Sequence, residues 1–260
     1  MQKLLKFIDY QPHASYFGVI TLNSDISNPI ICAIDTKDTD EAISLCKKIE
    51  PYVGMIKLGL EFFTANGPEG VREITKLGIP VFLDLKYHDI PNTVAEAVRA
   101  AVNLGVDVIT IHTLGGRDMM QHAVAAAYTE ADRTGNKRPL IFGVTVLTSM
   151  DKTDLNMIGI RRTPANQVAL LANLANKCNL DGVVCSPHEI KLVKSVCDSD
   201  FKTIVPGIRP KKSDSEDQKR VMTPGEALRS GADYIVIGRP ITKEKDPSEA
   251  AKNIYLQLLN

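Results

Sequence analysis

The sequence has no excess of charge of either sign and no long hydrophobic run. Its 31 Lys and Arg residues balance 31 Asp and Glu residues over 260 positions, so no overall field attracts nucleic acid or an anionic membrane surface. No stretch approaches the roughly 20 consecutive apolar residues of a membrane-spanning helix. The first ten residues have too short an apolar core for a secretory signal, and Asp9 interrupts it. We therefore expect neither a nucleic-acid partner nor a membrane location.

Cysteine and histidine are few, and they are not spaced for redox or metal-binding chemistry. The five cysteines, at positions 32, 46, 178, 185 and 197, form no Cys-x-x-Cys pair, and their number is odd. The five histidines show no spacing typical of a metal site. We therefore expect reduced, structural thiols in a cytoplasmic protein, and no bound metal.

Short apolar runs alternate with amphipathic segments, a pattern typical of a parallel sheet whose strands are joined by helices. The predicted strands are 30–35, 55–58, 81–86, 106–112, 140–146, 182–185, 203–206 and 234–238. The predicted helices are 38–49, 61–77, 94–104, 117–131, 164–178, 189–196, 224–230 and 247–259. Asp38 and Thr93 are expected to cap helix N-termini, and Gly78, Gly105 and Gly231 to follow helix ends.

This order of elements predicts an α/β fold, a closed (β/α)8 TIM barrel. Eight strand–helix units in about 230 residues fit such a barrel better than an open sheet. An open doubly wound sheet is the alternative, but no Gly-x-Gly-x-x-Gly follows the first strand. No change of composition divides the chain. We therefore predict one catalytic domain at 29–260, preceded by an N-terminal extension at 1–28.

Charged residues recur where the first three predicted strands end. They are Asp35, Lys57, Asp84, Lys86 and Asp89. In such a barrel the carboxyl ends of the strands carry the active site, and burying this many ionic groups without a function is costly. Side chains alternate along a strand, so Asp84 and Lys86 are predicted to point the same way. A lysine flanked by carboxylates is held as an ammonium, which suits a proton donor or an electrostatic clamp better than a Schiff base.

A glycine and an arginine follow each of the last two predicted strands. Gly207 and Arg209 come after the seventh strand, and Gly238 and Arg239 come after the eighth. The loops after these strands form the common phosphate site of such barrels. Glycines let backbone N–H groups approach a bound phosphate, and an arginine can bind two of the phosphate oxygens at once. The sequence therefore predicts a phosphate-binding site at these loops.

Three polar features near the predicted site each allow two interpretations. The segment 211–220 is either a plain surface loop or a lid over bound phosphate, with Gln218 reaching in, and we favour the lid. Thr148 and Ser149, after the fifth strand, offer hydroxyls to a polar ring. His112 could be a catalytic base, but we interpret it as a structural hydrogen-bond partner.

The segment Asp84-Leu85-Lys86-Tyr87-His88-Asp89-Ile90-Pro91-Asn92-Thr93 resembles the signature of the orotidine 5′-monophosphate decarboxylase family. The resemblance covers roughly residues 29 to 258, and further segments agree with it at 33–35, 56–59, 144–150, 181–186, 206–210 and 237–240. It implies a bacterial stand-alone, homodimeric enzyme of pyrimidine biosynthesis. That enzyme removes CO2 from orotidine 5′-monophosphate to leave uridine 5′-monophosphate, without a cofactor.

The resemblance also implies roles for the matching residues. Lys86 would donate a proton to C6 of the pyrimidine, with Asp84 beside the leaving carboxylate and Lys57 in the same row of charges. Asp89, part of the catalytic set, would be contributed to the neighbouring subunit's site together with the substrate contacts Ile90 and Thr93. The other implied substrate contacts are Asp35 and Lys57 at the ribose, Thr148 and Ser149 at the pyrimidine, and Arg209, Gln218, Gly238 and Arg239 at the phosphate.

Two other functions fit parts of the pattern. A sugar-phosphate decarboxylase or hexulose-phosphate synthase has the same Asp-x-Lys-x-x-Asp frame, but its carboxylates must bind Mg²⁺, and here Lys57 and Lys86 add positive charge. A barrel that only binds a nucleotide phosphate needs no more than phosphate and base contacts. The complete set of Asp84, Lys86 and Asp89 argues against that interpretation.

Overall fold

Eight parallel strands close into a barrel in the computed structural model, which describes residues 28–210 and 222–259. Each strand pairs with the next in the sequence, and β1 pairs with β8 to complete the circle. The strands are β1 Ile30–Ile34, β2 Met55–Leu58, β3 Val81–Tyr87, β4 Val108–His112, β5 Leu140–Val144, β6 Gly182–Val184, β7 Lys202–Val205 and β8 Tyr234–Ile237. The predicted TIM barrel is therefore confirmed, and the open doubly wound sheet is excluded.

Gln218 and the predicted lid lie outside the described residues, as does all but the last residue of the predicted N-terminal extension.

Helices follow the strands and cover the outside of the barrel. They are α1 Thr39–Ile49, α2 Leu60–Thr75, α3 Pro91–Val102, α4 Gly116–Thr134, α5 Lys152–Met157, α6 Pro164–Lys177, α7 Ile190–Val196, α8 Pro224–Arg229, α9 Arg239–Thr242 and α10 Pro247–Leu259. Two of these helices, α5 and α9, were not predicted from the sequence. With six and four residues, both are too short to display a helical period of apolar residues. None of the described helices is long and apolar enough to cross a bilayer.

The capping residues and glycines predicted from the sequence lie at helix ends in the structure, with one exception. The Asp38 side chain accepts a hydrogen bond from the Glu41 backbone N–H at 2.9 Å, which confirms it as the N-cap of α1. Gly78, Gly105 and Gly231 all have positive φ, as residues that end helices often do. The prediction for Thr93 was wrong, because α3 begins at Pro91. Proline suits the first helical turn since its missing N–H would have no partner there.

Side chains fill the lower part of the barrel and leave its upper end open. The inward-facing apolar cluster comprises Ile31, Ala33, Met55, Phe82, Val108, Phe142, Ile204, Tyr234 and Val236. Further along the same strands, towards their carboxyl ends, the inward positions become polar. Asp84 and Thr110 are buried there, and Lys57 is nearly so. The apolar cluster is therefore a floor on which a polar site is built.

One irregularity interrupts the barrel between β3 and β4. Leu83 pairs with Ile109, but the next pair joins Tyr87 to Ile111. Three residues of β3 therefore stand opposite a single residue of β4, which is a bulge in β3. Within the bulge Lys86 adopts φ +52°, in the left-handed region that residues other than glycine rarely occupy.

All five cysteines are free thiols, and four of them are buried, as the sequence predicted for structural residues. Burial raises the pKa of the Cys46 thiol to about 12 and that of Cys197 to about 11. Thiols with such pKa values carry little thiolate at neutral pH and are therefore poor nucleophiles.

Candidate active site

A pocket of about 320 Å³ opens at the carboxyl ends of the strands. Of the predicted site residues, it is lined by Asp35, Lys57, Asp84, Lys86, Thr148, Arg209, Gly238 and Arg239. The apolar part of its lining includes Phe82, Val144, Val146, Leu147, Val184, Ile204 and Val236. The pocket thus combines a charged side and a wide apolar wall, which suits a ligand that has both ionic groups and a flat ring.

Asp84 is the centre of the charged side. Its Oδ2 lies 2.8 Å from Lys86 Nζ and 3.4 Å from Lys57 Nζ. Its Oδ1 accepts a hydrogen bond of 2.9 Å from the Thr110 hydroxyl. The residue is only 8% exposed, so these three partners supply most of the interactions of its carboxylate. The alternation rule placed Asp84 and Lys86 together, and the structure brings them into contact.

The electrostatic balance at Asp84 favours its ionised form. Burial alone would raise the pKa of this carboxyl, but Lys57, Lys86 and the hydrogen bonds from Lys86 and Thr110 lower it below its usual value. One carboxylate therefore stands between two ammonium groups. The pocket lining as a whole has four Lys and Arg side chains against two Asp side chains, an excess of positive charge that favours an anionic ligand, although the chain as a whole has no net charge.

Asp35 lies on the other side of Lys57. A Cβ atom added at Gly59 would come within 3.2 Å of Lys57 Nζ and 3.9 Å of Asp35 Oδ1. One added at Gly238 would lie 3.9 Å from Asp35 Oδ2. Gly59 therefore leaves room beside Lys57 Nζ, whereas a Cβ at Gly238 would only be in ordinary contact with Asp35. The described residues contain no ion pair between Asp35 and Lys57, so the row is continuous in space but paired only at Asp84.

The two glycine–arginine pairs follow β7 and β8 and also line the pocket. Gly207 has φ +80°, a conformation natural for glycine, and a backbone hydrogen bond of 3.0 Å joins Arg209 N–H to the Met222 carbonyl. Arg239 follows Gly238 directly and opens α9. All four residues line the pocket. The predicted anion-binding residues thus line the same pocket as the charged row.

Four predicted site residues lie outside the lining of this pocket. Asp89, Ile90, Thr93 and Ser149 are exposed, and Ile90 is 68% exposed. Asp89 accepts a hydrogen bond of 2.7 Å from the Ile90 N–H, and the described residues show no ion pair between it and Lys86. Within one chain Lys86 therefore has one carboxylate beside it, where the sequence predicted two.

Sequence reasoning missed Thr110, which binds the charged cluster from below. It is a polar residue in the otherwise apolar start of β4, and its inward position could be read from the alternation of that strand. His112, two residues further along, does not line the main pocket. Burial, His88 and Lys86 lower the pKa of His112, and its Nδ1 has no hydrogen-bond partner among the described residues.

Among the described residues, no group of three or more His, Cys, Asp or Glu side chains is arranged to hold a metal ion. The carboxylate best placed for a ligand in the pocket, Asp84, is already paired with two ammonium groups. A divalent cation would have to compete with both of them for the same oxygens.

Comparison with known proteins agrees with this geometry. Residues 28–254 match the family described as "Orotidine 5'-phosphate decarboxylase / HUMPS family". An orotidine 5'-phosphate decarboxylase from Paramagnetospirillum magneticum is 49% identical over 231 residues, which are 89% of this chain and 98% of that protein. One from Wolbachia pipientis subsp. Culex pipiens is 52% identical over 231 residues, covering 89% of this chain and 99% of that protein.

A solved structure shows the same fold and family. The crystal structure of orotidine 5'-phosphate decarboxylase from Lactobacillus acidophilus superposes with a TM-score of 0.78 at 35% identity. The alignment covers 90% of this chain and 100% of that one. With a family match over most of the sequence and relatives near 50% identity, the chain belongs to the orotidine 5'-phosphate decarboxylase / HUMPS family.

Proposed function

We propose that this enzyme removes CO2 from orotidine 5′-monophosphate to give uridine 5′-monophosphate, a step of pyrimidine biosynthesis. The observation that carries the proposal is the placement of an ionised Asp84 between Lys57 and Lys86, in a pocket that is also lined by two glycine–arginine pairs. Family membership and the relatives named above support the same reaction. We also propose that the protein is cytoplasmic, with the barrel at 29–260 as its one catalytic domain.

The substrate has three parts, and the pocket offers a suitable environment for each. The phosphate would bind Arg209, Gly238 and Arg239, with Gln218 of the predicted lid as a further ligand. The ribose hydroxyls would bind Asp35 and Lys57. The pyrimidine would lie on the apolar wall with one edge at Thr148, and Ser149 would join it from the rim. In this pose C6 of the ring faces Lys86.

Loss of CO2 leaves the electron pair of the broken C–C bond on C6 of the pyrimidine. No carbonyl group is adjacent to delocalise that charge, so the site has to stabilise it. The Lys86 ammonium, positioned by Asp84 at 2.8 Å, supplies a fixed positive charge where the carbanion forms. It then donates its proton to C6 and becomes a neutral amine, which takes a proton from solvent before the next turnover.

The exposed position of Asp89, Ile90 and Thr93 supports a homodimer with shared sites. These residues lie outside the pocket of their own chain, and they expose an apolar isoleucine together with the polar Asp89 and Thr93. We propose that they enter the pocket of a second copy, where Asp89 supplies the second carboxylate beside Lys86. Each site would then be complete only in the dimer.

The same geometry supports a reaction that needs neither metal nor cofactor. The positive charge that a carbanion requires is already present on Lys86, whereas an enediolate enzyme uses Mg²⁺ for that purpose. We expect EDTA-treated protein to convert orotidine 5′-monophosphate. The change in ultraviolet absorbance as substrate becomes product measures this conversion. Conversion only after Mg²⁺ is restored, or conversion of sugar phosphates alone, would favour the sugar-phosphate enzymes. Well-folded protein that binds the nucleotide without turnover would favour the binding-only barrel.

Arg239→Ala is expected to raise KM for orotidine 5′-monophosphate by about 10²-fold, because it removes a charged hydrogen-bonding partner of the phosphate, worth roughly 1.5–3 kcal/mol. Binding energy at the remote phosphate can also serve to order the charged groups. Phosphite dianion should therefore increase turnover of a phosphate-free nucleoside substrate by the wild type, and less so by the variant.

Arg229→Ala is the matched control, since Arg229 is exposed at the end of α8 and lies outside the pocket lining. A KM unchanged by Arg239→Ala would contradict the assigned phosphate contact.

A further inference from the structure

The bulge in β3 gives Thr110 an unusual position. Between the pairs Leu83–Ile109 and Tyr87–Ile111, the three residues 84–86 stand opposite Thr110 alone. Such a bulge disrupts the regular hydrogen bonds between two strands, and the unpaired groups need other partners. Here the partner is a side chain and not the backbone. The Lys86 N–H donates to the Thr110 hydroxyl oxygen at 3.0 Å.

The same hydroxyl also binds the charged cluster. The Thr110 hydroxyl donates to Asp84 Oδ1 at 2.9 Å while it accepts from the Lys86 N–H. The direction of both bonds is fixed, because an ionised carboxylate only accepts and a backbone amide only donates. Thr110 is fully buried, so no water replaces either bond. One hydroxyl therefore connects the backbone of the lysine to the side chain of its carboxylate partner.

The backbone of Lys86 needs this support. A left-handed residue with a Cβ atom costs about 1–2 kcal/mol, and such a conformation persists only where its surroundings enforce it. The hydrogen bond to Thr110 holds the amide of the strained residue. The hydrogen bond to Oδ1 orients the Asp84 carboxylate, whose other oxygen lies 2.8 Å from Lys86 Nζ.

We propose that Thr110 is a positioning residue for the reaction: its hydroxyl sets where the Lys86 ammonium stands relative to the reacting carbon. The inference rests on the proposed function for its kinetic consequence. Thr110 does not line the pocket, so it contacts no substrate. Its loss should therefore slow the chemical step and leave substrate binding nearly unchanged.

The test compares Thr110→Val and Thr110→Ser with the wild type. Valine keeps the shape and removes the hydroxyl, whereas serine keeps the hydroxyl. Misplacing a reacting group by about 1 Å can cost 10²-fold in rate, so Thr110→Val should lower kcat for orotidine 5′-monophosphate by about 10- to 100-fold. KM and the affinity for uridine 5′-monophosphate should stay within about twofold, and Thr110→Ser should restore kcat to within about threefold of wild type.

Thr203→Val is the matched control. Thr203 is also fully buried on a strand, donates its hydroxyl to Asp233 Oδ2 at 3.0 Å and accepts from the Asp233 N–H at 3.2 Å. It lies near the start of β7 and does not line the pocket. Thr203→Val should lower thermal stability as Thr110→Val does but leave kcat unchanged. If Thr110→Val does not fold, Thr110→Ala and Thr110→Ser make the same comparison, because they differ by one hydroxyl oxygen.

An unchanged kcat in Thr110→Val, or an equal loss in Thr203→Val, would overturn the proposal. Crystal structures of the valine and serine variants give a reading that does not require activity. The distance from Lys86 Nζ to Asp84 Oδ2, 2.8 Å here, should lengthen only in the valine variant. If the wild type proves inactive but this distance changes as expected, the proposed reaction is wrong and the positioning role of Thr110 stands. An unchanged distance would reject that role.

Discussion

Lys86→Ala is expected to lower kcat for orotidine 5′-monophosphate by at least about 10²–10⁴-fold, the usual contribution of one proton donor. The loss should exceed that range if the fixed charge of the ammonium also stabilises the carbanion. Binding of uridine 5′-monophosphate should persist, because the variant keeps the proposed phosphate contacts Arg209, Gly238 and Arg239. Steady-state kinetics and a titration with the product measure the two effects separately.

Lys194→Ala provides the matched control for this result. Lys194 also pairs with an aspartate, with its Nζ 2.7 Å from Asp233 Oδ2, but it does not line the pocket. The Lys194→Ala substitution should lower the free energy of unfolding and leave kcat close to that of the wild type. Both variants should show a cooperative melting transition, since alanine keeps the Cβ atom that the left-handed backbone at Lys86 already accommodates. A Lys86→Ala enzyme within about tenfold of wild-type kcat would reject the lysine as proton donor.

Mixing Lys86→Ala with Asp89→Asn is expected to restore activity that neither variant has alone. In a mixed dimer one site loses both residues, and the other receives Lys86 from one chain and Asp89 from its partner. Random reassociation of two equal pools should return about a quarter of the wild-type activity, because half of the dimers are mixed and each has one intact site. Asparagine keeps the side-chain oxygen that accepts the Ile90 N–H at 2.7 Å, so the local turn should be preserved.

The control for this experiment pairs Lys86→Ala with Asp84→Asn. Asp84 contacts Lys86 within one chain, so no arrangement of these two variants creates an intact site. Differently tagged chains, separated in two affinity steps, would establish that mixed dimers are present. If purified mixed dimers of the Lys86 and Asp89 variants stayed inactive, or if the protein were monomeric at working concentration, the shared site would be disproved.

The sequence predicted the scaffold well because its signals are local. Each strand was placed to within two residues, since apolar runs bounded by turn residues define both ends. Asp35, Lys57 and Asp84 reach the pocket because strand ends converge in a barrel, a rule that holds whatever the details of packing. The error at Thr93 was also local, because a threonine two positions after Pro91 competed as an N-cap.

The bulge in β3 and the role of Thr110 were missed because they depend on contacts between residues distant in the sequence. The bulge is a shift of register between β3 and β4, and nothing within 81–87 marks it, since no glycine stands at the left-handed position of Lys86. The alternation of side chains along a regular strand therefore predicted the contact between Asp84 and Lys86 correctly, although β3 is not regular at this point. Thr110 acquires its importance only when β4 is aligned with that bulge.

The pairing of β1 with β8 has a consequence for how the protein is made. Ile31 pairs with Val236, so β1 cannot form its second strand pairing until β8, the last strand of the barrel, has been synthesised. Until then the nascent sheet keeps an open edge, which is a template for aggregation and a reason for chaperone protection. The pocket likewise draws on Asp35 after β1 and Arg239 after β8. Barrel closure and the first capacity to bind a nucleotide should therefore arise together, once β8 and Arg239 have been synthesised.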